Sequence, residues 1–369
     1  MPTNAPAQGP RAGQELHAVV AAVAAGVATF ALGLALMGEG LRPIGGSASV
    51  ARIAALTTGV AAALSFLVAN LRSTTPMPRL GGHWSRMVRV VSTVAIALVC
   101  FGLGYLAALS AGEIMQAGFR GLQLGPFAGA LACGLAGAAA AYMTHPLGHD
   151  IGTRTLGVLV PSFLVVGVIF SMLTASQEDW WQLHFSQLGV GGGISGFAFN
   201  VTLVLSGVLV ATMGAYARGD LEAATGRAGT GSRWVGRLIA GIGVSMVFIG
   251  LVRIDIAEWL HMIFGSSMVL LFCVLCTGLP WFAPRLPKAI HLVSIGMVVA
   301  TIGALVLWEP VGYYSFTGFE FAACGFIFVW LSVFIRALAA ARKDRADAVG
   351  RPGGPADSTS VRPGGKVGS

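Results

Sequence analysis

The chain has 369 residues, 55% of them hydrophobic and only 10% charged, with a mean hydropathy of +0.78. That balance excludes a water-soluble globular surface and puts the chain among polytopic membrane proteins. The formal net charge of +8 then records orientation in a bilayer and implies no nucleic-acid partner.

A bilayer core about 30 Å thick takes roughly 20 apolar residues per helix. Segments of that length are expected at 18–38, 49–70, 90–111, 126–143, 155–174, 196–216, 235–252, 259–282, 290–308 and 318–336. The fold class is therefore all-α: a polytopic integral membrane helical bundle of about ten transmembrane helices arranged as five hairpins. Residues 1–16, rich in Pro, Gly and polar groups with little to bury, are expected to be a disordered cytoplasmic tail. The first span is longer than a signal-peptide core and ends at Met37-Gly38-Glu39, with no small-residue cleavage site, so it is expected to stay as helix 1.

Residues 17–144 form an N-terminal four-helix membrane region. Near its end Gln116-x-x-Phe119-x-x-Leu122-x-x-Gly125 recurs as Gln182-x-x-Phe185-x-x-Leu188-x-x-Gly191, an echo that raises duplication of a hairpin. His145-Pro-Leu-Gly-His149 has the spacing of helical metal ligands, yet Pro146 and Gly148 argue for a loop, and Asp150 is the only third ligand nearby. No metal and no cofactor is expected. The five cysteines all lie in expected spans; Cys273-Val-Leu-Cys276, with no second pair, reads as two small buried residues. Asn200-Val-Thr202 matches a glycosylation sequon, but inside a span Asn200 is expected to hydrogen-bond between helices. Glycines within "GLAGAAAAY" and "GIGVSMVFIG" are expected to pack helices inside the bundle. Residues 145–340 form a six-helix membrane region, and 341–369 are expected to be a disordered basic cytoplasmic tail.

Charge sets the orientation, because cytoplasmic loops retain Lys and Arg. With the N-terminus inside, all of the 23 Lys and Arg except Arg42, Arg52, Arg120 and Arg253 fall on the inner side. The expected localisation is the inner (plasma) membrane, multi-pass, with N- and C-termini cytoplasmic. Trp180, Trp181, Trp259 and Trp308 fall at outer ends, Trp84, Trp234 and Trp281 at inner ones, and Trp330 slightly deeper.

No acid or base lies deep in a span, which argues against an ion-coupled pump. Polar groups gather instead at the outer ends of three successive hairpins: Glu178, Asp179, His184, Ser186 and Gln187; Arg253, Asp255, Glu258 and His261; Glu309, Tyr313, Tyr314 and Glu320. The candidate outer-face site is His184, Ser186, Asn200, Arg253, Asp255 and His261. In the functional reading Arg253 pairs with an anionic headgroup or sugar phosphate, His184 and His261 exchange protons, and Asp255 orients one of them. In the plainer reading exported loops are simply polar, and Arg253 pairs with Asp255 or Glu258. His184 and Ser186, one residue apart, point about 200° away from each other on a helix, so local sequence offers no Ser-His dyad.

The run "HFSQLGVGGGISGFAFNVTLVLSGVLVA", followed by "RIDIAEWLH", resembles polytopic bacterial membrane proteins of the domain of unknown function 998 family. Ser186, Leu188 and Gly189, Phe199 and Asn200, Leu205 and Gly207, and Asp255 with His261 carry the resemblance, which covers about residues 155–336. The glycine run Gly191 to Gly193 makes this loop longer than the family pattern. The resemblance implies no agreed activity and transfers no catalytic residue, but it makes the loop a recurring feature. The function expected is that of an uncharacterised, non-enzymatic integral membrane protein that binds or handles a lipid or amphiphile at its outer face. The alternatives are a membrane-embedded hydrolase or transferase acting on a lipid headgroup, and a small-molecule transporter. The partners expected are membrane lipids, with a homo-oligomer left open.

Overall fold

The computed structural model describes residues 10–73, 83–149, 151–191, 193–226 and 228–350. In hydrocarbon every backbone N–H and C=O must find its partner within the chain, and for single apolar segments the helix is the solution. Among the described residues there are ten helices long and apolar enough to cross a membrane. They are α1 (Pro10–Met37), α2 (Val50–Arg72), α3 (His83–Gly118), α4 (Pro126–His149), α5 (Thr153–Leu173), α6 (Ile194–Thr225), α7 (Thr230–Leu251), α8 (Glu258–Phe282), α9 (Lys288–Trp308) and α10 (Phe316–Gly350). The protein is an all-α, multi-pass membrane bundle. A two-residue antiparallel pair, β1 (Arg42–Pro43) with β2 (Gln123–Leu124), ties the α1–α2 connection to the α3–α4 connection.

Several helix ends extend past the expected spans. α3 starts at His83 and ends at Gly118 where 90–111 is expected, and α6 runs on to Thr225. α1 is already helical from Pro10 and α10 continues to Gly350, so parts of both expected tails are helix. The cause is propensity: Ala, Arg, Lys, Leu and Glu dominate these extensions and keep a helix going after hydropathy has fallen. Residues 1–9 and 351–369 of the tails, with Arg79, Asp150, Gly192 and Arg227, lie outside the described residues, as do the side chains of Arg11 and Trp84.

The segment His145 to His149 is the end of α4, not a loop. Pro146 is tolerated in the last turns, and Gly148 lets α4 press against the Phe66 carbonyl and Ala69 of α2. The repeated Gln-Phe-Leu-Gly pattern takes two different structures. Gln116 sits in α3 and its Oε1 accepts from Ile44 and Gly45 N–H (3.0 and 3.2 Å), whereas Gln182 ends a 3-10 turn; Leu122 is exposed and Leu188 buried.

α1 and α2 pack on α4, and α3 runs from α2 to α5 and α6, joining the first four helices to the last six. α6 is central to the second group, in contact with α3, α5, α7 and α10. Its tightest neighbour is α7. A Cβ on Gly207 would meet the Gly243 carbonyl at 2.6 Å, one on Gly236 the Gly214 carbonyl at 2.8 Å, and one on Gly250 the Asn200 carbonyl at 2.8 Å. Small residues thus bring two backbones into contact, the source of helix association in a solvent with no hydrophobic effect to offer. In α4, Gly134 and Gly137 do the same against Phe30 and Thr29 of α1, so both glycine-rich surfaces pack inside the bundle. The five cysteines are free and lie in α3, α4, α8 and α10.

Ion pairs hold the end of the bundle that carries the chain termini: Arg342 of α10 with Asp220 of α6 (2.7 Å) and Arg218 with Glu222 (2.8 Å), to which Ser232 of α7 also donates (3.0 Å). The α5–α6, α7–α8 and α9–α10 connections meet at the opposite end, here called the loop face.

Replacing Gly243 by Ala should lower stability by about 1–3 kcal/mol, because the new methyl meets backbone at Gly207 and Ala211. Gly303→Ala, where a Cβ has open space, should change little. Thermal melts of the two variants in mild detergent check the contrast; equal melting points would dismiss the α6–α7 contact as a determinant of stability.

Candidate functional site

The α5–α6 connection, 174–193, is built from two 3-10 turns, Trp180–Gln182 and Phe185–Gly189. Its apolar side is an aromatic cluster in which Phe185 meets Trp180, Phe199 and Phe321 edge-on at 6.0, 5.8 and 6.1 Å. Asn200, in the second turn of α6, donates from Nδ2 to the Gly189 carbonyl at 2.9 Å. That differs from the interhelical bond expected of it: Asn200 satisfies its own helix's entry loop, because the Phe185–Gly189 turn brings the Gly189 carbonyl within its reach. Gly191, with φ +86°, supplies the left-handed turn from which the chain re-enters as α6.

Ser186 and His261 come together across 75 positions, with His261 Nε2 3.0 Å from Ser186 Oγ, and both side chains are buried (6% exposure for His261, 9% for Ser186). His261 Nδ1 lies 2.6 Å from the Val252 carbonyl. A carbonyl only accepts, so Nδ1 carries a proton and the imidazole plane is fixed by the end of α7. The third member is Glu320, in the second turn of α10. Its Oε2 accepts the Phe185 N–H at 2.5 Å, the backbone of the residue next to Ser186. Glu320 is the residue the sequence left among general loop polarity, and nothing local distinguishes it from Glu309; its role appears only when α10 packs against the α5–α6 loop.

Arg253 and Asp255 face each other in the α7–α8 turn, with Arg253 Nε donating to Oδ1 at 3.0 Å and Nη2 to Oδ2 at 2.5 Å. The carboxylate is thus turned to the guanidinium, and the group that orients His261 is the Val252 carbonyl. His184 is half-buried, and its Nδ1 is enclosed with no hydrogen-bond partner among the described residues. Burial first, then the neighbouring His261, hold its proton affinity below the ordinary value, with Glu258 pulling the other way.

The remaining candidates are placed elsewhere. His145 is buried and 3.3 Å from Ser65 Oγ, with His149 edge-on to its ring. Cys273 and Cys276 lie within α8. Trp330 is buried and donates to Ser294 Oγ of α9 at 2.8 Å. A shallow open groove on α8, lined by Trp259, Met262, Ile263, Ser266, Ser267 and Leu270, faces away from His261, because residues two apart lie about 200° round a helix.

Because folded His184 binds a proton less readily than an unfolded chain does, the unfolded state takes up more protons as pH falls through 6.5, the ordinary histidine value. Stability is complete above that pH and falls on acidification. Melting curves from pH 8 to 5 should show a drop for the wild type that is smaller for His184→Gln. Parallel curves for the two proteins would mean that His184 does not contribute.

Residues 158–337 match the family model described as Protein of unknown function (DUF998), a stretch that begins inside α5, ends inside α10 and contains Ser186, His261 and Glu320. No curated protein and no solved structure matches the chain. The match agrees with the resemblance carried by the loop and by the Asp255 to His261 segment, and it leaves out α1 to α4. The match over residues 158–337, within α5–α10, is consistent with a membrane protein of the family described as protein of unknown function DUF998.

Proposed function

We propose that this multi-pass membrane protein binds or handles the polar headgroup of a lipid or other amphiphile at its loop face, and that this face lies at the outer leaflet. The observation that carries the reading is the buried, unpartnered Nδ1 of His184 beside the Ser186, His261 and Glu320 cluster. An enclosed polar atom with no partner costs about 1–3 kcal/mol, and a hydroxyl or phosphoryl oxygen of a headgroup would supply what is missing. Trp181, Trp259 and Tyr313 stand exposed around the same end, where amphipathic rings suit the headgroup layer. The outer assignment rests on the charge distribution, since among the described basic residues Arg42, Arg52, Arg120 and Arg253 alone fall at this end. Arg253 can release Asp255 for a phosphate, so the ion pair is compatible with an anionic headgroup.

A second reading, hydrolase or transferase, draws support from one contact. With Nδ1 protonated, His261 Nε2 is an acceptor placed to take the Ser186 proton, the relation of a base to a nucleophile.

Lipids carried through purification in mild detergent and identified by mass spectrometry test the first reading. One lipid class should be retained by the wild type and depleted about tenfold in His184→Ala, the loss expected for one buried hydrogen bond of about 1.4 kcal/mol. An identical lipid complement in both would overturn it. A fluorophosphonate separates the two readings: Ser186 should stay unlabelled, and stoichiometric labelling abolished by His261→Ala would establish the nucleophile instead.

A further inference from the structure

The face of α8 opposite His261 is uncovered. Trp259, Met262, Ile263, Ser266, Ser267 and Leu270 recur every three or four residues, so they share one side of the helix, and the groove of about 440 Å³ that they line is walled by α8 alone. Such a groove opens sideways to the bilayer and takes its occupant from the membrane, not from water. By the helical rise of about 1.5 Å per residue it descends about 18 Å from Glu258, the first residue of α8, to Leu270.

Its floor is not wholly apolar. Exposed hydroxyls elsewhere in the spans, those of Ser162, Thr277 and Ser332, each donate to the carbonyl four residues back (2.8, 2.8 and 2.9 Å). Ser266 and Ser267, about 12 Å below Glu258 by the same rise, make no such bond, nor any other among the described residues, although one is exposed and the other half-buried. A hydroxyl in hydrocarbon without an acceptor is costly, so the missing acceptor falls to whatever fills the groove.

The mouth carries a charge. Glu258 stands exposed one turn above Met262 on the same side, with no ion pair among the described residues, and the ring of Trp259 is 69% exposed beside it. A carboxylate and an aromatic face both attract an ammonium group, and the cation of the same connection, Arg253, is already bound to Asp255. A second copy of the chain fits less well: a two-fold axis along the membrane normal sets each residue against itself, which would bring two Glu258 carboxylates to one mouth.

We propose that this face of α8 binds an amphiphile with an ammonium head and an ester carbonyl: the head at Glu258 and Trp259, the carbonyl accepting from Ser266 or Ser267, and a hydrocarbon chain along Ile263 and Leu270. The site goes beyond the loop-face reading, since it lies on the other side of α8 from His261. Glu258 also acts through its charge on His184, so the test includes that residue.

Native mass spectrometry of the full-length protein in detergent, titrated with phosphatidylethanolamine and with phosphatidylglycerol of the same chains, reads the site. The wild type should bind the ethanolamine lipid about tenfold more tightly, the effect of one hydrogen bond to a charged group. Glu258→Gln should lose that preference while phosphatidylglycerol still binds, which marks the variant as folded; His184→Ala should keep it. The double variant Ser266→Ala, Ser267→Ala should weaken both lipids alike and bind the diether and diester forms of the ethanolamine lipid equally, where the wild type favours the diester. Equal binding of the two headgroups by the wild type, a preference that survives Glu258→Gln, or one that vanishes in His184→Ala would overturn the site, as would indifference of the wild type to the ester carbonyl. So would a wild-type dimer that Leu270→Trp splits into monomers, because a second copy would then cover this face.

Discussion

The loop face depends on one constraint: a polar connection laid over the end of an apolar bundle must find a partner for each group it buries. Water reaches little of the Phe185–Gly189 turn, so its needs are met by side chains rising from the helices below. Glu320 takes the Phe185 N–H, Asn200 donates to the Gly189 carbonyl and His261 meets the Ser186 hydroxyl. Each bond comes from a different helix, α10, α6 and α8. The same bonds that satisfy the loop therefore fix the relative positions of three hairpins, and the cluster follows from an anchoring problem before any ligand is considered.

Much of this architecture is legible in composition and charge. The bilayer imposes a length on each apolar run and a sign on each loop, so the number of helices and their grouping into hairpins can be read without side-chain detail. Helix ends are less legible because hydropathy and propensity part company there. α10 leaves its apolar stretch near Arg336 but continues through an Ala- and Arg-rich segment that favours helix on its own account. His145 to His149 illustrates the reverse case, where Pro and Gly suggest a loop and close contact with α2 keeps a helix.

The site is legible by residue type and illegible by partner. Ser186 and His261 are visible as polar groups at the right ends of their hairpins, yet their hydrogen bond spans 75 positions and follows no local period. Asp255 looks like the natural orienter of His261 because it lies just before α8 and His261 stands in that helix's first turn. A guanidinium two residues away holds it more strongly than a neutral imidazole can, and the backbone of Val252 takes the orienting role. Backbone acceptors leave no trace in sequence. Glu320 escapes for a related reason, since one acid near a helix end is ordinary until packing decides what it touches.

That packing also explains why the glycines of α6 and α7 matter to chemistry they never touch. Close backbone contact along Gly207, Gly214, Gly236 and Gly243, continued by Gly250 against Asn200, sets where α7 ends relative to the entry of α6. Val252 follows directly on α7, and its carbonyl decides which nitrogen of His261 carries the proton. A side chain at any of these glycines would push α7 outward and carry the carbonyl with it, and the imidazole would lose the bond that fixes its tautomer. The orientation of His261 toward Ser186 is in this sense a consequence of small residues one to several turns away in the membrane, because they set where the Val252 carbonyl stands.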